Sequence, residues 1–462
     1  MYRVVVAKFD GLALAEERHP GISRCVPNRD ERVSDGFPIV LDEDGYPAEL
    51  FLAFFAAKEG LAATTQLQYA NALVAFNRYL EKRGVLSLLD ASDKDLTAYR
   101  LYRTRKSIET IGDYSFRVDG SAIRQFYSWA KSSALIARSP VKMLSRNGRD
   151  NLSTNRLRHS KIRHVDSFLY QELLRAAGGM YQTSGIARSP ARNVAAVKTL
   201  ATSGLRLQEF RSLLTLEIDN GTLLAQGISI ELEATAKYRI NRNVILPTYA
   251  VQAIRRYRKV ERPDVVNRAQ RALHNRLDSS FVVTSFTKST GRISGVWQGD
   301  RLDYLLHLLP VEMRLKAIAI RDDGKVEPLC VFISEGRGVG MTRSGWEDLF
   351  VGFSDAMSRQ FPEDDRIRKV TPHDLRHTFA INFLRAAYAD RMKAVPTASL
   401  LDRPVARDPL ICLQELLGHA SAAQTLQYVR YVEDIDRLVA AAVPSADVED
   451  MDASAREHAA KE

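Results

Sequence analysis

Cysteine is scarce in this chain: Cys25, Cys330 and Cys412 are the only three in 462 residues. They are odd in number, far apart and without CxxC or Cys/His spacing, which argues against a disulfide framework and structural zinc and for reduced thiols in a cytoplasmic setting. No apolar run approaches the ~20 residues a membrane-spanning helix needs. The opening MYRVVVAKFDG becomes charged too soon for a secretory leader, so no membrane role is expected. A Walker loop, a dinucleotide fingerprint, carboxylates at metal-ligand spacing and internal repeats are also missing. No cofactor and no metal are expected.

Positive charge, by contrast, is plentiful. Lys and Arg number 66 against 56 Asp and Glu, a net +10. That balance favours an acidic partner, nucleic acid before an anionic membrane. Residues 444–462 form an acidic tail with six acids and two bases, so the rest of the chain carries +14.

Residues 1–46 mix short apolar runs with turn signals and read as an N-terminal arm or a small strand-containing cap. From about residue 47 the apolar spacing becomes helical, with Tyr69, Leu73, Phe76 and Leu80 on one stripe, Thr64 or Thr65 as a cap and Gly84 as a stop. Ser92 and Asp95 have capping-box spacing and open a helix running through Tyr102. Ile123, Phe126, Tyr127 and Ala130 form a later stripe before Pro140. A helical domain over 47–140 is expected. Residues 141–164 lose the apolar pattern and read as a basic linker, in which Arg156, Arg158, Lys161 and Arg163 suit a phosphate backbone.

A larger domain is expected over 165–443. A helix over 193–202 leads into SGLRLQEFRSL, and β-type segments at 223–232 and 243–246 flank ATAKYRINR, which places Lys237 and Arg239 near a hairpin. A basic helix follows over 251–260. Farther on, His373 and Arg376 of TPHDLRHTFA stand at i and i+3 of a helix and share a face, with His377 read as lying to its side. LLGHAS reads as a helix ending at Gly418, with His419 at the turn and Tyr428 on the next helix. After Tyr428, Ile435, Leu438, Val439 and Ala442 form a last apolar stripe.

Arg206, Lys237, His373, Arg376, His419 and Tyr428, in that order, resemble the motif set of the tyrosine recombinase (phage integrase) family. TSGLRLQEF resembles the family's first arginine box, AKYRINRNVILP its hairpin lysine, HDLRH its second box and LLGHAS its third, with Tyr428 at the nucleophile's offset. RVDGSAIRQFYSWAKSSALIARSPV resembles the last helix of the family's DNA-binding core domain. The resemblance implies a mainly α fold with a small β-sheet or hairpin in an α+β catalytic domain. It implies transesterification through a 3′-phosphotyrosyl intermediate, without metal or ATP.

The family roles, carried over, make Arg206 and Arg376 the grip on the scissile phosphate, His373 the base with His419 as second donor, Lys237 the general acid and Glu209 a supporting carboxylate. The implied partners are double-stranded DNA recombination sites, with a monomer in free solution, a homo-tetramer on DNA and room for accessory recombinases. The implied location is the cytoplasm, at the nucleoid. Two stretches, about 262–328 and 387–409, exceed the family's compact pattern and read as insertions. Lys161 and Lys288 are alternatives to Lys237, and Tyr431 to Tyr428. A type IB-like topoisomerase and a catalytically inactive DNA-binding protein of the same fold are the competing readings.

Overall fold

A computed structural model describes residues 2–7, 36–106, 110–145, 148–154, 162–181, 188–393 and 408–431. Arg156, Arg158 and Lys161 lie outside these residues, as do the stripe from Ile435 and the acidic tail. The chain divides into two compact units, residues 1–159 and 160–462. Both are rich in helix, and the first carries a two-stranded sheet while the second carries larger ones.

In the first unit, β1 (Arg3–Val6) pairs antiparallel with β2 (Pro38–Leu41). Four helices follow: α1 (Glu49–Ala56), α2 (Ala63–Glu81), α3 (Asp93–Leu101) and α4 (Asp113–Ser132). The Ser92 hydroxyl accepts from the Asp95 N–H while an Asp95 oxygen accepts from the Ser92 N–H, so the capping box that opens α3 is made in both directions. α2 departs from expectation. It begins after Ala62, which offers no side-chain cap, and Thr64 and Thr65 lie inside its first turn. The helices close over one core in which Phe54, Phe76, Tyr99 and Phe126 are fully buried. Each such side chain contributes about 1.5–3 kcal/mol by leaving water. Residues beyond Pro140 also belong to this unit, because Arg124 makes a two-point ion pair with Asp150 at 2.6 and 2.8 Å and Leu152 is buried.

The second unit opens with α5 (Ser167–Ala177), capped by the Asp166 carboxylate, and α6 (Pro190–Ser203). Short α7 (Leu207–Arg211) and α8 (Thr215–Asn220) lead to an antiparallel sheet of β3 (Thr222–Leu224), β4 (Gly227–Leu232) and β5 (Arg242–Pro247). Strands β4 and β5 make a hairpin with Leu232 opposite Arg242, and Lys237 lies in the segment that joins them. Next come α9 (Thr248–Val260) and α10 (Arg262–His274). The single small sheet expected from the sequence is joined by a second, larger one. Its strands are β6 (Phe281–Thr287), β7 (Arg292–Trp297), β8 (Asp300–Leu305), β9 (Ala317–Ile320) and β10 (Val326–Pro328), in the order β10-β9-β6-β7-β8, with α11 (Val311–Leu315) between β8 and β9. Residues 262–328 therefore fold as α10 and this sheet around a core built on Val265, Phe281, Ile293 and Ala317, to which Leu214, Cys330 and Ile333 from outside the stretch also contribute.

Helix α12 (Arg343–Gln360) then leads to α13 (Pro372–Lys393), which carries HDLRH in its first turns and packs on α6. Residues 387–393 continue α13, and 394–407 lie outside the described residues. The described chain closes with α14 (Pro409–Leu417) and α15 (Ala422–Leu426). Tyr428 follows α15 and its Gln427 cap, so it stands at a junction and not within a helix as expected. No described helix is long and apolar enough to cross a membrane.

Candidate active site

Two left-handed glycines build the site. Gly204 (φ +65°) ends α6 and Gly418 (φ +60°) ends α14, a conformation glycine adopts without the penalty a Cβ brings. Close approach fixes both further. A Cβ on Gly204 would stand 2.5 Å from the Phe379 ring, and one on Gly418 2.8 Å from Cδ of Arg242. Both turns hand a carbonyl to an arginine. Arg206 donates Nη2 to Gly418 O at 2.9 Å, and Arg376 donates Nη1 to Gly204 O and Nη2 to Leu417 O, the latter at 2.7 Å.

Glu209 locks the arginines from one side. Its Oε1 accepts from Nη1 of Arg206 and Nη1 of Arg242, both at 3.1 Å, and its Oε2 accepts from Nη2 of Arg242 at 2.8 Å and the Arg206 N–H at 2.7 Å. Arg242 also donates Nε to Leu416 O at 3.0 Å. Glu209, Arg242 and Arg376 are buried, while Arg206 keeps 23 % of its side chain exposed and is the arginine open to a ligand. Two guanidinium groups thus share one carboxylate, with a third, Arg376, held beside them by main-chain carbonyls. Burial, and after it Arg206, lowers the pKa of Arg376 to about 9, which leaves it charged at neutral pH.

The imidazoles and Tyr428 complete the cluster. The Tyr428 hydroxyl is 2.9 Å from Nδ1 of His377, and its ring is buried among Ala380, Leu413 and Leu417. The His377 and His373 rings meet edge to face with centroids 4.2 Å apart, and the His419 ring lies parallel to Tyr428 at 6.1 Å. Nδ1 of His419 is 2.9 Å from the Thr425 hydroxyl, which commits that nitrogen and leaves Nε2 for another partner. Desolvation is the first cause of lowered basicity in all three histidines. Neighbouring His373 and Arg376 add to it at His377, and Arg376 and Arg206 at His419, so both fall to about 3. His373, open to solvent at the rim, is lowered by the protein atoms crowding its ring and by Arg376. Burial raises the Tyr428 pKa, and Arg376 and Arg206 pull it back.

The structure therefore brings Arg206, Glu209, His373, Arg376, His419 and Tyr428 together. Lys237 and Arg239 are exposed on the β4–β5 connection, Arg163 pairs with Asp374 at 3.2 Å, and Lys288 lies in the β6–β7 turn. Tyr431 is committed elsewhere: its hydroxyl accepts from the Ile162 N–H at 3.2 Å. Two residues escaped the sequence reading. His377 does not lie to the side of the His373 face, because i and i+4 stack on one helix face as i and i+3 do. Arg242 shares its strand phase with the buried Val244 and Leu246, and an arginine at that phase calls for a buried carboxylate, the signal that would have found it. Among the described residues no group of three or more His, Cys, Asp or Glu side chains is placed to hold a metal.

The comparisons with known proteins bear on the first unit most directly. Residues 48–133 match the family model described as phage integrase, N-terminal SAM-like domain. The match covers that helical segment of the first unit. Among solved structures it is similar to the Tn1549 transposon integrase in complex with transposon right end DNA, with 14 % identity, 85 % of this chain and 98 % of that one covered, and a TM-score of 0.46. It is also similar to XerA recombinase, with 18 % identity, 88 % and 98 % covered and a TM-score of 0.30. The third is XerH site-specific recombinase bound to palindromic difH substrate, with 15 % identity, 81 % and 78 % covered and a TM-score of 0.44. No curated protein matches the sequence. With TM-scores below 0.5 these likenesses carry no argument, and the chemistry rests on the site itself.

Proposed function

We propose that the protein is a site-specific DNA recombinase or integrase that cuts and rejoins strands through a 3′-phosphotyrosyl intermediate. One observation carries the reading: a buried tyrosine hydroxyl, 2.9 Å from a neutral imidazole, in a cluster of three guanidinium groups with a single carboxylate, which pairs with two of them. The surplus positive charge suits a phosphodiester, and preorganised guanidiniums act most strongly on the added negative charge of a pentavalent transition state.

In the proposed reaction Tyr428 Oη attacks the scissile phosphorus. The P–O5′ bond breaks, and the chain's 3′ end stays on the tyrosine as a phosphodiester. The phenol proton passes to Nδ1 of His377, the nitrogen already in contact with it. The sequence resemblance gave that task to His373, which stands one ring farther out and serves in this scheme, with Nε2 of His419, as a donor to the phosphate. Lys237 protonates the departing 5′-oxygen. A 5′-hydroxyl from a second duplex reverses the steps and restores the tyrosine.

The depressed basicity of His377 fits this order. Burial, and after it the neighbouring imidazoles and guanidiniums, hold the ring neutral, and the charge of an arriving phosphate offsets the guanidiniums and makes the ring a better base as attack begins. We further infer that the free chain is a monomer and that a tetramer forms on two bound sites. The experiment is a mixing assay with two labelled duplexes chosen by covalent capture from a random-sequence pool. Recombinant product from the wild type and none from Tyr428→Phe supports the reading. Relaxation of supercoils without recombinants favours a topoisomerase, and DNA binding without adduct an inactive DNA-binding protein.

A further inference from the structure

The segment that carries Lys237 is tied at its base to the short turn, residues 306–308, that follows β8 of the larger sheet. The Ala234 N–H donates to the His307 carbonyl at 3.0 Å. The His307 ring sits between two carboxylates of the hairpin, with Nδ1 3.4 Å from Glu231 and Nε2 3.9 Å from Glu233. Asn241, on the return limb, bridges the same carboxylates at 2.7 and 3.1 Å. Both limbs of the 233–241 connection therefore converge on His307.

His307 is itself held from behind. Arg314, buried to 1 % exposure, donates Nη1 to the neighbouring Leu306 carbonyl at 2.7 Å and Nε to Ser212 O at 3.1 Å, and its Nη2 reaches Glu217. Ser212 is the residue that ends α7, the helix carrying Glu209 behind the Arg206 cap. A continuous path of hydrogen bonds thus runs from the arginine box, through Arg314 and the 306–307 main chain, to the base of the Lys237 segment.

We propose that the inserted sheet is a brace for the lysine hairpin and that His307 is its positioning residue. This rests on the recombinase reading, in which Lys237 delivers the leaving-group proton, and it gives residues 262–328 a task within that reaction. A connection ordered before DNA arrives loses less freedom when Lys237 must meet the 5′-oxygen. His307 touches no reacting atom. Removing its ring leaves the Glu231–Glu233 pair bridged only by Asn241 and loosens residues 233–241.

The test compares two nicked duplexes of one sequence, obtained by covalent capture on the wild type, one with the ordinary 5′-oxygen at the scissile position and one with bridging sulfur. A thiolate departs without a proton, so sulfur bypasses the general acid. For His307→Ala, adduct formation on the oxygen substrate should slow by about 10-fold and on the sulfur substrate by less than about 2-fold, as expected when only general-acid placement suffers. Amide exchange should quicken across 233–241 and not in α6. The double variant Glu231→Gln/Glu233→Gln, which keeps shape, should act in the same direction. Equal rates on both substrates, equal slowing on both, or unchanged exchange in 233–241 overturns the brace while the recombinase reading stands. A wild type that captures no duplex covalently overturns that reading, and the brace with it.

Discussion

The second unit contains two buried arginine–carboxylate knots that look alike in composition and differ in balance. At Glu217, Arg314 is the one cation paired with the carboxylate among the described residues. It donates to Glu217, Leu306 O and Ser212 O, while the second Glu217 oxygen accepts the Leu214 N–H at 2.8 Å. Charge is matched one for one. At Glu209, Arg206 and Arg242 share the carboxylate while Arg376, close by, is held only by main-chain carbonyls. Burying a charge is tolerated when it is paired and hydrogen-bonded, so the Glu217 knot is explained by folding alone. Surplus cations with weakened histidines beside them are not. On the proposed reading, that imbalance is what the scissile phosphate balances.

The sharpest way to break the contrast is to alter one arginine in each knot. Arg376→Lys and Arg206→Lys keep charge but lose the planar fork, and each should lower DNA cleavage by about 100- to 1000-fold. Arg314→Met, in contrast, leaves Glu217 buried without its cation and should cost about 3–5 kcal/mol of folding stability, read by urea denaturation. A stability loss as large for Arg206→Lys, with cleavage intact, would erase the distinction.

Acid should separate the knots next. The folded pKa of His377 and of His419, about 3, lies below the ordinary 6.5. Between those values the unfolded chain binds more protons than the folded one, so stability is complete above about pH 6.5 and falls as pH drops toward 3. The slope of melting temperature against pH should flatten in His377→Gln. It should also flatten when bound duplex offsets the surrounding cations. A slope unchanged by either would remove these rings from the charged cluster.

The smallest effect is expected at the rim. Arg163 is half-exposed and pairs with Asp374 in the first turn of α13. Arg163→Ala should change stability by less than about 1 kcal/mol. As a backbone contact, it should reduce the salt dependence of DNA binding by about one charge's worth of slope. An unchanged slope would take Arg163 off the DNA surface.

What the sequence discloses here follows from range. The capping box of Ser92 and Asp95, the stripe through Phe126 and the glycine stop at Gly418 are local patterns, and the structure makes each of them. The site residues were legible as short boxes in order, because each box is a turn or helix start whose chemistry sits in consecutive residues. Arg242 was not, since its partner Glu209 lies 33 positions away and only the strand phase hints at burial. His377 was misplaced by treating i+3 and not i+4 as the shared face. The larger sheet was anticipated only as surplus length, because its strands find their partners, including the parallel pairing of β6 with β9, across long separations.

The central claim is that Tyr428 is the group the surplus charge serves. It is tested most directly by trapping the chain on a nicked duplex obtained by covalent capture, digesting the adduct and locating the nucleotide-bearing peptide by mass spectrometry. The account predicts a 3′-phosphotyrosyl bond on Tyr428 in the wild type and no adduct in Tyr428→Phe. A nucleotide on Tyr431, or an adduct that survives Tyr428→Phe, would contradict it.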